Sequence, residues 1–238
     1  MFELRIENQV ARITLNRPGA RNAIKLAAWD DLALTVRQAE GARILILAGT
    51  AQAFCAGADL GDFAAMSGDL AAASAFREAM RRGIEAMAEL PIPTVALVEG
   101  PCYGAGVALA LACDFRLAGP GARFAITPAK IGISYPQEDV FRLVALVGPA
   151  QAAKLLFTGN AIAGDEALRI GLADSRADEL DDLVASMMAN ARGSIATLKR
   201  GIALAATGVA SDSAQDNMFD DLLSAPVLAE RLAARRAR

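Results

Sequence analysis

The sequence predicts an α/β fold with an all-helical C-terminal region. Three observations lead to this prediction. Apolar and polar residues alternate near the N-terminus, as in a β-hairpin. Apolar runs at 43–48 and 93–98 have the pattern of strands, and the first has the continuous apolar character of a strand covered on both faces. Roughly the last sixty residues carry a helical pattern with no strand signal.

The N-terminal part begins with the hairpin, whose arms cover 2–6 and 11–15. The hairpin ends at Asn16-Arg17-Pro18-Gly19, where proline and glycine favour a turn. A helix is predicted around 26–40, before the first buried strand. That strand leads into a loop at 53–60 that is rich in alanine and glycine.

A long helix is predicted from Ser67 to Leu90. Large apolar side chains recur there at helical spacing, and Pro91 ends the pattern. The strand at 93–98 follows and leads through a glycine-rich loop into a buried helix that ends near Asp114.

The second half of the chain begins with two short predicted strands, at 115–118 and 123–126. From Pro149 onward the pattern is helical, with stops near Gly159 and Gly171. The chain is therefore expected to form one α/β body followed by helices.

Composition restricts the function classes. At 238 residues the chain suits one domain with at most a small appended subdomain. No apolar run reaches the roughly 18 residues of a membrane span and the N-terminus lacks a signal-peptide core, so we expect a cytoplasmic protein that binds no membrane. The formal charge of −3 gives no reason to expect nucleic-acid binding. Cys55, Cys102 and Cys113 form no CxxC pair, so a disulfide framework or a zinc site is not expected.

The segment 98–109, VEGPCYGAGVAL, leaves a strand and enters a helix, and three chemistries fit such a loop. A dinucleotide-binding turn is disfavoured because Leu109 replaces the usual third glycine. A nucleophile elbow with Cys102 in the serine position fits the pattern, but the chain contains no histidine to act as its base. The remaining interpretation is an oxyanion hole, in which small residues let a ligand oxygen approach free main-chain N–H groups.

Several motifs occur in an order that is typical of one enzyme family. They are Asn16-Arg17-Pro18, Arg21-Asn22-Ala23, the loop 53–60, the glycine-rich segment 100–114 that ends in Ala-Cys-Asp, Leu155-Leu156-Phe157-Thr158-Gly159 and Ala167-Leu168-Arg169-Ile170-Gly171-Leu172. Together they cover most of the chain. On these motifs the sequence resembles the crotonase superfamily, the enoyl-CoA hydratase/isomerase family.

The resemblance implies a crotonase-like ββα spiral with a C-terminal helical region that builds homotrimers or dimers of trimers. We expect the ββα core, with the acyl-CoA site, in 1–175 and the helical region in 176–238. The resemblance also implies a coenzyme A thioester as substrate, and no metal or redox cofactor. In the family two main-chain N–H groups bind the thioester oxygen, and their positions fall on Ala58 and Ala105. Such donors stabilise the negative charge of an enolate.

The resemblance places further residues near the substrate. Ala56 and Leu60 would line the entrance for the pantetheine and adenine portions, and Arg21 would approach a phosphate. The predicted substrate-binding set is completed by Ala23, Asp59, Tyr103, Ala108, Pro128 and Ile133. Asp59 and Asp114 are expected to act as hydrogen-bonding groups in loops and at helix ends, because aspartate favours such positions.

Two replacements separate the chain from the hydratases that it resembles. Those enzymes use two glutamates, and the corresponding positions hold Ala108 and Pro128. Neither side chain can transfer a proton, so two-glutamate hydration is not expected.

Glu138 is the candidate acid/base residue. Relatives with a single acid place it in this region, although the strictly equivalent position holds Pro136, two residues earlier. The alternative is structural: Ser134 and Gln137 would form a capping box, and Glu138 and Asp139 would interact with the N-terminus of a helix.

Three functions remain in competition. The first is a lyase or isomerase that acts on an acyl- or enoyl-CoA, with the amides of Ala58 and Ala105 as the oxyanion hole. The second is a protein that binds CoA thioesters and has lost hydratase chemistry, as the two replaced glutamates suggest. The third, thioester hydrolysis through Cys102, is disfavoured by the missing histidine.

Overall fold

The computed structural model describes residues 1–50 and 52–236. These residues form nine strands: β1 (Phe2–Glu7), β2 (Val10–Leu15), β3 (Ile44–Ala48), β4 (Thr94–Val98), β5 (Pro101–Tyr103), β6 (Phe115–Ala118), β7 (Arg123–Ala125), β8 (Ile162–Ala163) and β9 (Ser175–Arg176). They also form ten α-helices: α1 (Trp29–Gln38), α2 (Leu60–Met66), α3 (Leu70–Ala88), α4 (Ala105–Leu111), α5 (Gln137–Thr158), α6 (Gly164–Ile170), α7 (Leu180–Ala189), α8 (Arg192–Ala206), α9 (Ser213–Ser224) and α10 (Pro226–Arg236). The predicted α/β class is confirmed.

The main sheet has six strands in the order β1-β2-β3-β4-β6-β9. The predicted hairpin forms its edge, with Phe2 opposite Leu15, and the remaining neighbours pair in parallel. Every residue of β3 and β4 is buried. This agrees with their apolar sequences, because helices cover both faces of a parallel sheet.

Two groups of apolar side chains fill the two sides of the main sheet. The larger one includes buried residues of α1, α3 and α4, with Trp29 and Met87 among its fully buried members. The smaller one places Ile46 and Leu97 against α7, through Leu183 and Met187. Since α7 contributes to this core, the first of the C-terminal helices packs as part of the α/β body. The predicted division between 175 and 176 cuts β9.

A second, smaller sheet has three strands in the order β5-β7-β8. Its strands have two or three residues each, so their periodic sequence signal is weak. The strand predicted at 123–126 is confirmed as β7, whereas the residues of β5 were assigned to the glycine-rich loop. The strands β8 and β9 were also missed, in a region predicted to be helical throughout.

The helix predicted from Ser67 to Leu90 is confirmed as α3, with slightly narrower bounds. The preceding helix α2 was missed, because its seven residues lie where the alanine-rich loop was expected to continue. The helix predicted to end near Asp114 is α4, which ends at Leu111.

By length and composition α5 is the one helix of the described residues that could cross a membrane. Its backbone is non-helical at Gly148, with φ of 74°, and Pro149 follows directly. The helix therefore consists of two shorter helices joined at a kink, and neither half has the roughly 20 residues of a span.

Candidate functional site

Two loops that follow buried strands are joined by main-chain hydrogen bonds. The N–H of Tyr103 donates to the carbonyl of Cys55 at 2.8 Å, and the N–H groups of Phe54 and Cys55 donate to the carbonyl of Pro101. Cys55 and Cys102 thus face each other as a parallel bridge. The loop after β3 and the segment β5 therefore run side by side, although 47 positions separate Cys55 from Cys102 in the sequence (102 − 55).

Ala58 and Ala105 each lie three residues after this bridge, so the two alanines occupy matching places on the paired loops. The neighbours of Ala58 bind Ile24: Gly57 accepts from the Ile24 N–H, and the Asp59 N–H donates to the Ile24 carbonyl. Because alternate N–H groups of an extended segment point to opposite sides, the Ala58 N–H points away from Ile24. Within residues 1–50 and 52–236, neither the Ala58 nor the Ala105 N–H donates a hydrogen bond. Both are free to bind an external oxygen.

Glycine is required where the two loops approach each other. Gly57 has φ of 98°, and a Cβ atom there would lie 2.7 Å from the Tyr103 carbonyl oxygen and 3.2 Å from the Ala105 nitrogen. Gly104 has φ of 52° and ψ of −120°, a conformation that side-chain-bearing residues rarely adopt. These two glycines bring the peptides that carry the Ala58 and Ala105 N–H groups close together.

The motif residues after the hairpin support the first of these loops. The Asn22 side chain is fully buried and donates to the carbonyls of Ala53 and Phe54 at 2.8 and 3.2 Å. Arg17 donates to Asp59 at 2.6 Å, and this bond, together with a bond from the Gly61 N–H, lowers the pKa of Asp59. Asp59 is also the N-cap of α2, in agreement with the helix-end role expected for it. Arg17 and Asn22 were noted as motif residues, but their role in holding this loop was not predicted.

A cavity of about 840 Å³ opens beside the two free amides. Its apolar wall includes Phe63 and Met66 of α2 and Phe76 and Met80 of α3. The volume is within the usual range of ligand pockets, roughly 300–1,000 Å³. An apolar space of this size beside two unpaired donors suits a molecule with one polar acceptor and a long or bulky apolar group.

Half of the residues that the sequence assigned to the site line this cavity. They are Ala56, Ala58, Leu60, Ala105, Pro128 and Ile133. Leu60 is 66% exposed and lies at the cavity's rim, at the first position of α2.

The other half lie off the cavity wall: Arg21, Ala23, Asp59, Tyr103, Ala108 and Glu138. Ala108 is fully buried inside α4, where it packs in the core, so its contact with substrate stays a prediction. Ala23 accepts a hydrogen bond from Arg17 through its carbonyl, and Arg21 has an exposed side chain while its carbonyl accepts from the Ala56 N–H. These residues support the loop that carries Ala58.

The placement of Glu138 differs from the expectation that it faces the acyl pocket. Its side chain is exposed and is absent from the lining of the large cavity; it borders a small crevice that Asp139 also lines. Its neighbour Asp139 is 2% exposed and lines the large cavity. Successive residues of a helix point about 100° apart, so only one of two adjacent acids can face inward. The predicted capping box is also not formed: the N-cap of α5 is Pro136, without a side-chain hydrogen bond.

Burial controls the ionisation of Asp139. It raises the pKa of this carboxyl from 3.8 to about 7; Arg142 opposes the shift, while Glu85 and Glu138 add to it. The Arg142 guanidinium is itself bound to Glu85 at 2.6 Å. Its Nη1 atom lies 3.5 Å from the Asp139 carboxylate but finds no hydrogen-bond partner among the described residues. Asp139 is therefore a buried acid that changes its charge near neutral pH.

Tyr135 connects this acid to the paired loops. Its hydroxyl donates to the Gly104 carbonyl at 3.0 Å, and that carbonyl belongs to the same peptide unit as the free Ala105 N–H. A hydrogen bond accepted by a peptide carbonyl strengthens the N–H of that peptide as a donor. The turn that leads into α5 thus fixes the orientation of one amide.

Cys102 lies in the core. It is fully buried, and burial raises the pKa of its thiol well above the ordinary value. A nucleophilic cysteine needs an accessible thiolate, so this geometry disfavours thioester hydrolysis through Cys102. In the part of the chain that the structure describes, no three His, Cys, Asp or Glu side chains are grouped to hold a metal ion.

Comparison with known proteins gives consistent results. The sequence matches the family model described as enoyl-CoA hydratase/isomerase over residues 5–218. It is 35% identical over 167 residues to the "Probable enoyl-CoA hydratase echA6" of Mycobacterium bovis, which covers 69% of this chain and 66% of that protein. It is 36% identical over 179 residues to the "Probable enoyl-CoA hydratase echA14" of Mycobacterium tuberculosis, which covers 74% and 69%. The chain thus spans about two thirds of the length of these relatives.

The fold agrees with the same family. A crystal structure of an enoyl-CoA hydratase/isomerase family protein from Hyphomonas neptunium superposes with a TM-score of 0.92 at 32% identity, and covers 99% of this chain and 94% of that one. The resemblance to a crotonase-like fold is therefore confirmed. With the sequence match, this shows that the chain belongs to the enoyl-CoA hydratase/isomerase family of the crotonase superfamily.

Proposed function

We propose that the chain is an acyl-CoA- or enoyl-CoA-processing enzyme of the enoyl-CoA hydratase/isomerase type. The thioester oxygen binds the N–H groups of Ala58 and Ala105, and negative charge on it is stabilised as an enolate forms. The observation that carries this proposal is the pair of unsatisfied N–H groups on hydrogen-bonded loops, beside one large cavity.

The shape and polarity of the cavity support an acyl thioester as the ligand. Phe63, Met66, Phe76 and Met80 give an apolar wall for the acyl chain. Ala56 and Leu60 line the same cavity and would contact the pantetheine portion. Since coenzyme A enters with the substrate, the proposal includes no separate cofactor and no metal.

The two positions that hold the glutamates of ordinary hydratases carry no acid in this chain. Ala108 is buried in the core and Pro128 is part of the cavity wall, and neither exchanges protons. This loss supports an alternative function, in which the chain binds CoA thioesters without converting them. The two functions share the amide pair and differ in whether the bound thioester reacts.

The amide pair can be tested with calorimetry on two matched ligands. Octanoyl-CoA carries the thioester carbonyl, whereas octyl-CoA, the thioether, has the same chain without that oxygen. We expect the thioester to bind at least about tenfold more tightly, because two charge-stabilising donors lose their acceptor in the thioether. Equal affinities would refute the proposed role of Ala58 and Ala105.

Turnover then separates the enzyme from the binding protein. A panel of 2-enoyl- and 3-enoyl-CoA thioesters of different lengths is incubated with the protein, and the products are followed by chromatography. Conversion of at least one thioester supports the enzyme. Tight thioester binding with no conversion across the panel favours the binding protein.

The assembly proposed for the chain is a homotrimer or a dimer of trimers in the cytoplasm. The C-terminal helices expose large apolar side chains, among them Ile202, Phe219 and Leu223. Exposed large apolar side chains on neighbouring helices are often covered in an interface between subunits. Light scattering should give three or six times the 24.7 kDa chain mass, and a monomer would contradict this assembly.

A further inference from the structure

We propose that Asp139 is the acid/base residue of this site, and that it moves one proton between C2 and C4 of a 3-enoyl thioester. This inference rests on the proposed function, because it requires the thioester carbonyl to be bound by Ala58 and Ala105. It replaces Glu138, which does not line the large cavity, as the residue that carries the proton.

The position of Asp139 is the first support. Of the described residues that line the cavity, Asp139 is the only carboxylate, and the two amide-bearing alanines line the same space. Tyr135, four residues earlier, touches the peptide of the Ala105 N–H through its hydroxyl. One short segment at the start of α5 therefore carries the acid and contacts the peptide of one of the two amides.

The long, weak pairing of Asp139 is the second support. The residue is 2% exposed, and the ion pair with Arg142 is the one that its carboxylate forms among the described residues. Arg142 lies 3.5 Å away and keeps its buried Nη1 without a hydrogen-bond partner. Buried polar groups are normally paired at hydrogen-bond distance, so a carboxylate whose one ion pair is this long can still bind a group that enters the cavity.

The charged groups around Asp139 keep it reactive near neutral pH. On its own helix, Arg142 attracts the carboxylate and Glu138 repels it; on α3, Glu85 repels it and also binds Arg142. Arg77 and Arg81 line a small crevice together with Asp139, and Arg77 also lines the large cavity. The pKa of about 7 is close to the optimum for a group that must accept and then return a proton.

The reaction balances with a single acid. The Asp139 carboxylate takes a proton from C2 of the 3-enoyl thioester, and the C–H electron pair enters a dienolate whose charge rests on the thioester oxygen. The protonated Asp139 then delivers the proton to C4 while the double bond moves from C3–C4 to C2–C3. The carboxylate is regenerated and no co-reactant is consumed. Addition of water would need a second group to hold and activate it, and the cavity wall offers no other carboxylate among the described residues.

The test compares Asp139→Asn with Glu138→Gln, its neighbour on the same turn. The substrate is 3-octenoyl-CoA, and the conjugated product is followed by its ultraviolet absorbance. We expect Asp139→Asn to lower kcat by about 10²–10⁴-fold, the usual contribution of a general acid/base. Its affinity for octanoyl-CoA should stay within about threefold, which also shows that the variant is folded. Glu138→Gln should keep kcat within about twofold, and Asp139→Glu should recover part of the loss.

Three outcomes would overturn the inference. One is an Asp139→Asn variant with more than a tenth of the wild-type kcat. Another is a Glu138→Gln variant that loses as much activity. The third is a wild-type protein that binds octanoyl-CoA but neither isomerises 3-octenoyl-CoA nor exchanges its C2 protons with deuterated water. In that case thioester binding by the amide pair still stands, whereas a protein that binds no thioester contradicts the proposed function itself.

Discussion

The two halves of the site are built in different ways. The half that would bind the thioester oxygen is main chain: it is fixed by hydrogen bonds between the paired loops around Cys55 and Cys102. The half that would move the proton is one side chain, Asp139, on the first turn of α5, with its nearest cation at 3.5 Å. The first half is therefore set by backbone geometry, and the second by the electrostatic environment of a single carboxyl. Substitutions should affect the two halves in correspondingly different ways.

The largest effect is expected from Gly57→Ala, which disrupts the main-chain half. The new Cβ would lie 2.7 Å from the Tyr103 carbonyl oxygen in a backbone conformation with φ of 98°, so the loops must move apart. Loss of one oxyanion donor alone costs about 10²–10³-fold in kcat. We expect at least this loss in kcat/KM for 3-octenoyl-CoA, measured by the absorbance assay, and a weaker affinity for octanoyl-CoA.

Gly171→Ala is the matched control for that variant. Gly171 has φ of 79°, so alanine meets similar backbone strain, but the nearest heavy atom to its Cβ would be the Leu146 oxygen at 3.4 Å. Both variants should lose stability, by about 1–3 kcal/mol for the strained backbone. Only Gly57→Ala should lose activity; equal loss in Gly171→Ala would mean that strain, not the amide pair, explains the effect.

The next effect concerns the side-chain half: Asp139→Asn should lower activity but raise stability at neutral pH. The folded-state pKa of Asp139 is about 7 against 3.8 for the ordinary carboxyl. Between these two values the folded protein keeps the proton and the unfolded chain releases it, so this group's contribution to stability falls as pH rises. Asn does not ionise. We expect Asp139→Asn to match the wild type at pH 4 and to exceed its free energy of unfolding by up to about 4 kcal/mol at pH 8.

Urea unfolding at several pH values measures this difference. Glu138→Gln serves as the control because Glu138 is exposed, and its stability relative to the wild type should vary much less with pH. An Asp139→Asn variant less stable than the wild type at pH 8 would contradict the assignment of Asp139 as a buried carboxyl that is costly to ionise.

The contrast between the two halves also explains what the sequence could predict. The positions of Ala58 and Ala105 followed from motif order, because small residues in a fixed register leave a recognisable pattern. The choice between Glu138 and Asp139 did not, since two adjacent acids at the start of a helix look alike until the helix is oriented. The apolar wall of the cavity could not be predicted either. Two of its residues, Phe63 and Met66, belong to α2, and this helix was not predicted.

A smaller effect is expected from Tyr135→Phe. Tyr135 lies between the two halves of the site. The variant removes the hydroxyl that donates to the Gly104 carbonyl and leaves the ring in place. One neutral hydrogen bond contributes about 1 kcal/mol, which corresponds to roughly fivefold in rate if it is expressed in the transition state. We expect kcat to fall about three- to tenfold with KM nearly unchanged. A change in melting temperature with unchanged kcat would indicate that the bond serves folding alone.

The smallest effect is expected from Glu85→Gln, which changes the environment of Asp139 without touching the cavity. Glu85 raises the pKa of Asp139 directly and also holds Arg142 through a 2.6 Å bond. Its removal takes away a repelling charge and releases Arg142 towards the carboxylate, and both changes lower the pKa of Asp139. The acid limb of the pH profile of kcat/KM should therefore move to lower pH by up to about one unit, while the plateau falls because a weaker base accepts the proton less readily.

Glu89→Gln, an equal change of charge at the exposed end of α3, should leave the profile where it is. A profile that moves to higher pH in Glu85→Gln would mean that a group other than Asp139 sets the acid limb.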